Sequence, residues 1–514
     1  MTGENFSLDD TDLRRLAFEN LSLLPLLDPP EASAIPYISP STTSPLVVDL
    51  DGTLILTDSL IESVLQLIKT RPFTALCLLY YLPKGRAELK NFVAENTTLW
   101  VNSLPYRADL LEYIIEEKAR GRKIVLATAA HHKIANAVAS HLDVFDHVIA
   151  SDAKRNLKGT QKLDAINELV GPEFVYAGDS SSDIPIWHAS KSAITVDTSS
   201  STTRQVKERT RLEKEFASPP LDWKVWAQAL RCHQWVKNLL IFVPLLTGFA
   251  FSNTYAVIAS IFAFIAFSLA ASATYIGNDL WDIDNDRAHP RKKNRPFASG
   301  RIPITKGIAA AAALLTSALV IAAQISVPLL IMVSAYVVLT TLYSWVLKRY
   351  VLIDVITLAL LYTFRVLAGS VASDLSMTYW LFLFSIFTFF SLALVKRCAE
   401  LISLRKSKKQ AAHGRDYQVE DLFVLYPLGI AASLCSVVVF GLYIGSIRAE
   451  NHYAHPGLLW LVGVGLLYWT GRLWIKTVRG EMHDDPIVFA FKDFGSRVTV
   501  CGMVGVTLLA AFLP

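Results

Sequence analysis

Cysteine and charge are both scarce in this chain. Five cysteines (Cys77, Cys232, Cys398, Cys435 and Cys501) are spread over 514 residues with no Cys-x-x-Cys pair. That excludes a disulfide framework and the usual thiolate metal spacings, and it points to a reducing compartment for the soluble part. Only 18% of the residues are Asp, Glu, Lys or Arg, and 49 basic against 45 acidic side chains leave a formal charge of +4. Nucleic-acid binding through bulk basicity is therefore not expected. Residues 1–44 place acidic side chains ahead of a short apolar stretch and then turn rich in Pro, Ser and Thr. This opening reads as a disordered leader, not as a signal peptide.

What the chain does have is apolar sequence, 52% of it, unevenly distributed. Residues 1–220 read as soluble, whereas 239–514 form a succession of long apolar runs separated by polar clusters, so a soluble domain is expected to precede a polytopic membrane domain. Leu46–Gly52, Lys123–Ala129 and Phe174–Asp179 each read as a buried strand ending in polar residues and followed by a helical period. Such strands belong to a parallel α/β sheet with its chemistry at the carboxyl ends. Helical patterns over 59–115, including the apolar 72–83, predict a cap inserted over that site, too short to cross a bilayer. The polar stretch 199–220 reads as a linker between an α/β domain at 45–198 and a membrane domain at 221–514. Residues 221–238 mix Trp with Lys and Arg at helical spacing, as an interfacial helix would.

Nine spans are expected, near 239–252, 254–276, 307–324, 327–346, 351–372, 377–395, 421–445, 457–475 and 496–513. Basic residues crowd every second loop: Arg287 to Lys306, Lys348 and Arg349, Lys396 to Arg415, and Arg472 to Arg497. The alternate loops hold only Arg448. The positive-inside rule then puts the basic loops and the amino-terminal domain in the cytoplasm and, with an odd span number, the carboxyl terminus outside. Arg365 is a mid-span cation for which burial against a partner is the plain expectation.

The first constellation that carries chemistry is Asp49-Leu50-Asp51-Gly52-Thr53 after the first strand, Thr128 at the end of the second, Lys162 in a following segment, and Gly178-Asp179-Ser-Ser-Ser-Asp183 after the third. Covalent hydrolysis of a phosphate monoester needs these types. One carboxylate attacks phosphorus, another moves the leaving-group proton, a hydroxyl and an ammonium hold phosphoryl oxygens, and further carboxylates hold Mg²⁺. The order resembles the haloacid dehalogenase superfamily over about 45–198, which implies a Rossmann-like fold with a helical cap. By that resemblance Asp49 is the nucleophile, Asp51 the acid/base, Thr128 and Lys162 (or Lys158) the phosphate binders, and Asp49, Asp51, Asp179 and Asp183 the Mg²⁺ site.

The second constellation lies between the second and third spans. Asn278, Asp282 and Asp286 recur every four residues, Asp279 sits three before Asp282, and Arg291, Lys292, Lys293 and Arg295 follow. A continuing helix would gather the acidic groups on one face. Mg²⁺ joining carboxylates to a diphosphate, with cations taking the remaining phosphate charge, satisfies both sets. The pattern NDxxDxxxDRxHPxKxxRP, with nine spans, resembles the UbiA superfamily of intramembrane prenyltransferases over about 221–514. This implies an all-α membrane fold with Asn278, Asp279, Asp282 and Asp286 as metal-diphosphate residues and Asp282 at the centre of catalysis. Tyr343-Ser344 with Lys348 and Arg349 resembles that family's second cytoplasmic loop.

Residues 231–238, 396–401, 414–422 and 479–493 resemble the decaprenyl-phosphate phosphoribosyltransferase branch, with Cys232 where Pro is usual. The resemblance implies Mg²⁺-dependent transfer from phosphoribosyl diphosphate to a polyprenyl phosphate, followed by hydrolysis of the 5-phosphate in the soluble domain. Lys292, Arg295, Lys348, Lys396 and Arg415 would clamp phosphate, and Tyr343 or Tyr417 would orient a sugar or phosphate. The expected setting is the inner, cytoplasmic membrane, with multiple passes and both sites cytoplasmic. No nucleic-acid partner is expected, and a homo-oligomer is left open. Two other readings stand beside it: prenyl transfer to an aromatic acceptor, which would use the same acidic motif, and a transporter or scaffold with charges along an ion path.

Overall fold

The computed structural model describes residues 44–152, 155–218, 222–406, 415–482 and 486–513. The expected leader, 1–44, lies outside the described residues except for Ser44.

Six parallel strands form one sheet: β1 (Leu46–Val48), β2 (Ile124–His131), β3 (His147–Ser151), β4 (Val175–Gly178), β5 (Ser192–Val196) and β6 (Leu212–Phe216), in the order β3-β2-β1-β4-β5-β6. Alternate side chains of β1 enter opposite layers. Leu46 and Val48 pack with Ile124 and Leu126, while Val47 packs with Val125, Ala127 and Tyr176 on the other face. A sheet buried on both faces explains why its strands read as continuous apolar runs. Between β1 and β2 lie two longer helices of the cap region, α1 (Ser59–Thr70) and α2 (Arg86–Asn96), with short helical pieces between them. Asp58 caps α1, its Oδ1 accepting from the Leu60 and Ile61 amides.

The expected linker at 199–220 is a correction. Ser200–Arg209 is a helix, and 212–216 is β6, paired with β5 at the sheet edge. The charge-rich LEKEF pattern belongs to an edge strand anchored by Glu213, which accepts from Tyr113, Arg122 and Ser192. The α/β domain thus runs through Phe216.

Next come α3 (Trp223–Leu230), α4 (Thr254–Trp281) and α5 (Ile283–Ala288). The remaining long helices are α6 (Ile304–Ile325), α7 (Val327–Trp345), α8 (Ile353–Ser373), α9 (Tyr379–Lys406), α10 (Leu422–Ile444), α11 (Leu459–Val478) and α12 (Phe494–Phe512). Among the described residues eight helices are long and apolar enough to cross a membrane: α4, and α6 to α12. The protein is therefore a multi-pass membrane protein.

The ninth expected span, 239–252, is not a long helix. Cys232–Phe242 is 3₁₀, Val243–Thr247 is one short helix, and Ala250–Ser252 is a turn. Pro244 contributes no amide proton at the start of the short helix, and Phe249 adopts a left-handed conformation. Ile241, Pro244 and Leu245 of this irregular segment are buried, and Cys232–Phe242 runs antiparallel to α4. Trp235 Nε1 donates to Ser272 Oγ at 3.0 Å, and Asn238 Nδ2 to Ser268 Oγ at 3.0 Å. Arg365 donates to Asn238 Oδ1 at 2.8 Å and to the Tyr336 hydroxyl at 2.8 Å, and its guanidinium lies over the Tyr336 ring. The mid-span cation therefore ties α7 and α8 to the irregular segment, as burial against partners anticipates.

Candidate functional sites

The strand order reverses around β1, and the first site sits at the carboxyl ends flanking that reversal. Asp49 follows β1, Thr128 lies within β2, and Asp179 follows β4. Asp49, Lys162 and Asp183 are buried. Lys162 Nζ lies 2.8 Å from Asp49 Oδ2 and 3.8 Å from Asp183 Oδ1, and it donates to the Tyr176 hydroxyl at 3.0 Å. The same hydroxyl donates to Asp183 at 3.1 Å. Lys158, the alternative phosphate binder, is exposed. Burial first, then the Asp183 charge, raises the Asp49 pKa against the opposing pull of Lys162.

Thr128 Oγ1 is buried and accepts from the Ala130 amide at 3.0 Å. Gly52 has a positive φ of 76° and faces Asp179 so closely that a Cβ would strike the carboxylate. That glycine is what allows the two motif loops to meet.

Asp49, Asp179 and Asp183 each offer an oxygen, all within 4.8 Å of one another. Burial, with repulsion from Asp49 and Asp183, pushes Asp179 up to about 7. Three hard oxygen donors that repel one another fit Mg²⁺. Asp51, expected among the metal ligands, is outside this group. Its Oδ1 accepts from the Ser59 amide at 2.8 Å and its Oδ2 from Ser59 Oγ at 3.1 Å. Burial, then the Asp58 charge, pushes it to about 7, a value suited to giving and taking a proton. Sequence reasoning missed Lys90 on α2. Its Nζ donates to Ala129 O at 2.6 Å, next to Thr128, and it lies in the fields of Asp51 and Asp58. A lone lysine in a cap helix gave no signal.

The second site lies where α4, α7, α8 and α9 end near their basic loops. Asn278 Nδ2 donates to Ser344 Oγ at 3.0 Å, joining the acidic motif to the second loop. Asp279 is paired with Arg231 at 2.5 Å and Arg295 at 3.1 Å, and Asp286 with Arg295 at 2.6 Å and Lys292 at 4.0 Å. Among the described residues no second group of three metal donors is as close as that of the first site. Lys348 is half-buried. Burial depresses its ammonium, Asp282 pulls the other way, and Arg415, Lys292 and Arg349 add to the lowering. Lys348 thus lies within the fields of Asp282 and of these three cations.

Beneath them lies an ion pair that sequence reasoning did not find. Asp354 and Arg397, both fully buried, approach to 2.6 Å. The Tyr343 hydroxyl donates to Asp354 at 2.9 Å, and Glu400 bridges Arg397 to Arg415. Tyr417 is wholly buried, with its ring against Arg397 and its hydroxyl accepting from the Leu352 amide at 3.0 Å. Tyr417, expected to orient a sugar or phosphate, thus belongs to the scaffold that holds the loops, and the half-buried Tyr343 is tied to the same ion pair. Lys396 is half-buried on α9, one residue before Arg397.

Fold and sites define a membrane-embedded transferase type joined to a phosphatase type of hydrolase. The haloacid dehalogenase-like hydrolase family matches residues 46–188, and the UbiA prenyltransferase family matches 241–491. The chain belongs to the UbiA prenyltransferase family and carries a haloacid dehalogenase-like domain ahead of its membrane domain. An uncharacterized protein, y4nM, from Sinorhizobium fredii is 37% identical over 472 residues, 91% of this chain and 90% of its own. The nodulation protein NoeC of Azorhizobium caulinodans is 31% identical over 56% of this chain and 94% of its own. The decaprenyl-phosphate phosphoribosyltransferase of Mycolicibacterium smegmatis is 33% identical over 44% of this chain and 71% of its own. A solved UbiA homolog from Archaeoglobus fulgidus, bound to GPP and Mg²⁺, is 16% identical, with a TM-score of 0.42 over 56% of this chain and 99% of its own.

Proposed function

We propose that the membrane domain transfers 5-phosphoribose from phosphoribosyl diphosphate to a polyprenyl phosphate, and that the soluble domain then removes the 5-phosphate to leave polyprenyl-phosphoryl ribose. In the first step an oxygen of the lipid phosphate bonds to the anomeric carbon as the bond to diphosphate breaks. The nucleophile is already charged, so the site mainly has to stabilise the leaving diphosphate and the oxocarbenium-like sugar. The observation that carries this reading is the meeting of the acidic motif with the second loop, where Asn278 donates to Ser344 and Lys348 lies in the fields of Asp282, Arg415, Lys292 and Arg349, an anion site beside a carboxylate. Asn278, Asp282 and Asp286 would hold Mg²⁺ with the diphosphate, and Arg295 and Lys396 would add positive charge.

In the second step Asp49 attacks the 5-phosphate and Asp51 protonates the departing sugar oxygen. Asp51 then takes a proton from the water that cleaves the aspartyl phosphate. Lys162 and Thr128 hold the phosphoryl oxygens. Asp49, Asp179 and Asp183 would hold Mg²⁺, which would supply charge neutralisation. Both sites would face the cytoplasm from the inner membrane.

The test is incubation of purified protein with labelled phosphoribosyl diphosphate and polyprenyl phosphate, followed by analysis of the lipid. Label in the lipid with release of diphosphate is expected. Label left wholly in the aqueous phase, with prenyl transfer from a prenyl diphosphate to an aromatic acid instead, would replace this reading.

A further inference from the structure

The cap of the soluble domain ends in an unpartnered apolar surface, and its place on the membrane domain says what covers it. Between α1 and α2, the short helices Pro72–Ala75 and Leu78–Tyr81 and the turn Leu82–Lys84 have no buried residue. Phe73 is 86% exposed, Leu79 73% and Leu76 65%, with Tyr80 and Leu82 close behind. Five large apolar side chains within ten residues make a contiguous patch of the kind that marks an interaction surface. From Arg71 to Arg86 there is no acidic residue, and Arg71, Lys84 and Arg86 are exposed.

The helix leading into this patch is fixed to the membrane domain. Arg287 holds Glu62 through two hydrogen bonds, at 2.6 and 3.2 Å, with both side chains buried. Lys69 pairs with Asp284 at 3.0 Å. Ile61 and Leu65 pack into one cluster with Ile283, Phe297, Val225 and Trp226. Backbone bonds from Asp282 to Asn278 and from Asp286 to Asp282 carry α4 into α5, so α5 leads away from the membrane end of α4. The pairs run in reverse order, 62 with 287 and 69 with 284, so α1 lies antiparallel to α5. Its carboxyl end therefore returns toward the level where α4 leaves the bilayer. At that level Trp281 stacks on Trp345, as aromatic side chains at a membrane–water boundary do. Residues 72–83 emerge there.

We propose that residues 72–83 insert into the lipid interface on the side of the basic loops, with Phe73, Leu76, Leu79 and Leu82 among the acyl chains and Arg71, Lys84 and Arg86 at anionic headgroups. The segment runs directly into α2, whose Lys90 overhangs the Asp49 site. Insertion would therefore set the mouth of that site at the membrane surface, where it can take a phosphate ester carried by a lipid. This consequence rests on the proposed hydrolysis, whereas the insertion does not.

The experiment uses the full chain in vesicles of phosphatidylethanolamine and phosphatidylglycerol, with the other four cysteines replaced and a nitroxide on the exposed Cys77. Collisions with oxygen should exceed those with a water-soluble nickel chelate at Cys77, and the order should reverse for a label at the exposed Lys207. A Cys77 label that meets mainly nickel overturns the proposal. So does one that meets neither reagent, because that means cover by protein, such as a second copy of the chain. A second arm measures hydrolysis in a Phe73→Ser, Leu79→Ser variant. The KM for a lipid-borne phosphate ester should rise on the order of tenfold or more, with p-nitrophenyl phosphate hydrolysis unchanged. Equal KM values would count against the proposal. Absence of any hydrolysis by the wild type would instead overturn the phosphatase reading and leave the nitroxide result to decide insertion.

Discussion

At the residue scale, the carboxylates divide into those kept for substrate and those already satisfied. Asp282 exerts its field on the half-buried Lys348, whereas Asp279 is closed off by Arg231 and Arg295 and Asp286 is paired with Arg295. Asp282→Ala should therefore abolish labelling of the lipid while leaving hydrolysis of a small phosphate ester by the soluble domain intact. Lipid labelling at the wild-type rate would make the acidic motif a solvated loop. Asp354 works differently, since removing its charge leaves the fully buried Arg397 with Glu400 as its acidic partner. Asp354→Asn should lower stability by less than the roughly 3–5 kcal/mol of a buried charge left wholly unpaired, read as a drop in thermal midpoint in detergent. The sequence showed Asp282 because its spacing repeats around a helix. It hid Asp354, a single carboxylate at the head of an apolar run whose partner is 43 residues away. Lys162 and Lys158 were alike in sequence until the fold buried one against Asp49 and left the other exposed.

At the scale of elements, β1, β2 and β4 were legible because each is apolar and leads into a motif residue, whereas β3 and β5, which carry no motif, were not among the expected strands. Nor was β6. Its stabilising contacts reach back to Tyr113 and Arg122, about 100 positions earlier, and local sequence carries only its charge. The segment at 239–252 was misread for a related reason. Hydropathy does not tell a spanning helix from an irregular apolar segment, and here Ile241, Pro244 and Leu245 are buried while Leu239, Leu246 and Phe251 are exposed. Gly369 on α8 lets it approach, since a Cβ there would strike the Ile241 carbonyl, whereas Gly502 on α12 faces open space. Gly369→Val should lower the thermal midpoint and the yield of folded protein in detergent, and Gly502→Ala should change neither. Equal effects would mean that the irregular segment is not held by this close contact.

At the scale of the whole molecule, the two sites are joined by α1. Ser59 at its start holds Asp51, and Glu62 one turn on holds Arg287, the neighbour of Asp286. Both domains were legible in the sequence, but this joint was not, because an acidic residue in a cap helix and an arginine in a charge run each look solvated alone. A shared face requires the basic loops and the soluble domain to lie on one side. Engineered cysteines at 447–456 should react with an impermeant reagent in intact cells, and those at 403–412 should not; the reverse pattern would invert the assignment.

The central claim, that one chain makes a lipid-linked phosphosugar and then dephosphorylates it, is tested most directly by mass spectrometry of the lipid made by purified wild-type and Asp49→Asn proteins. The substitution keeps the size of the side chain and removes the attacking carboxylate, while the transferase uses other residues. The Asp49→Asn product should be heavier than the wild-type product by one phosphate group. The same dephosphorylated lipid from both proteins would contradict the claim.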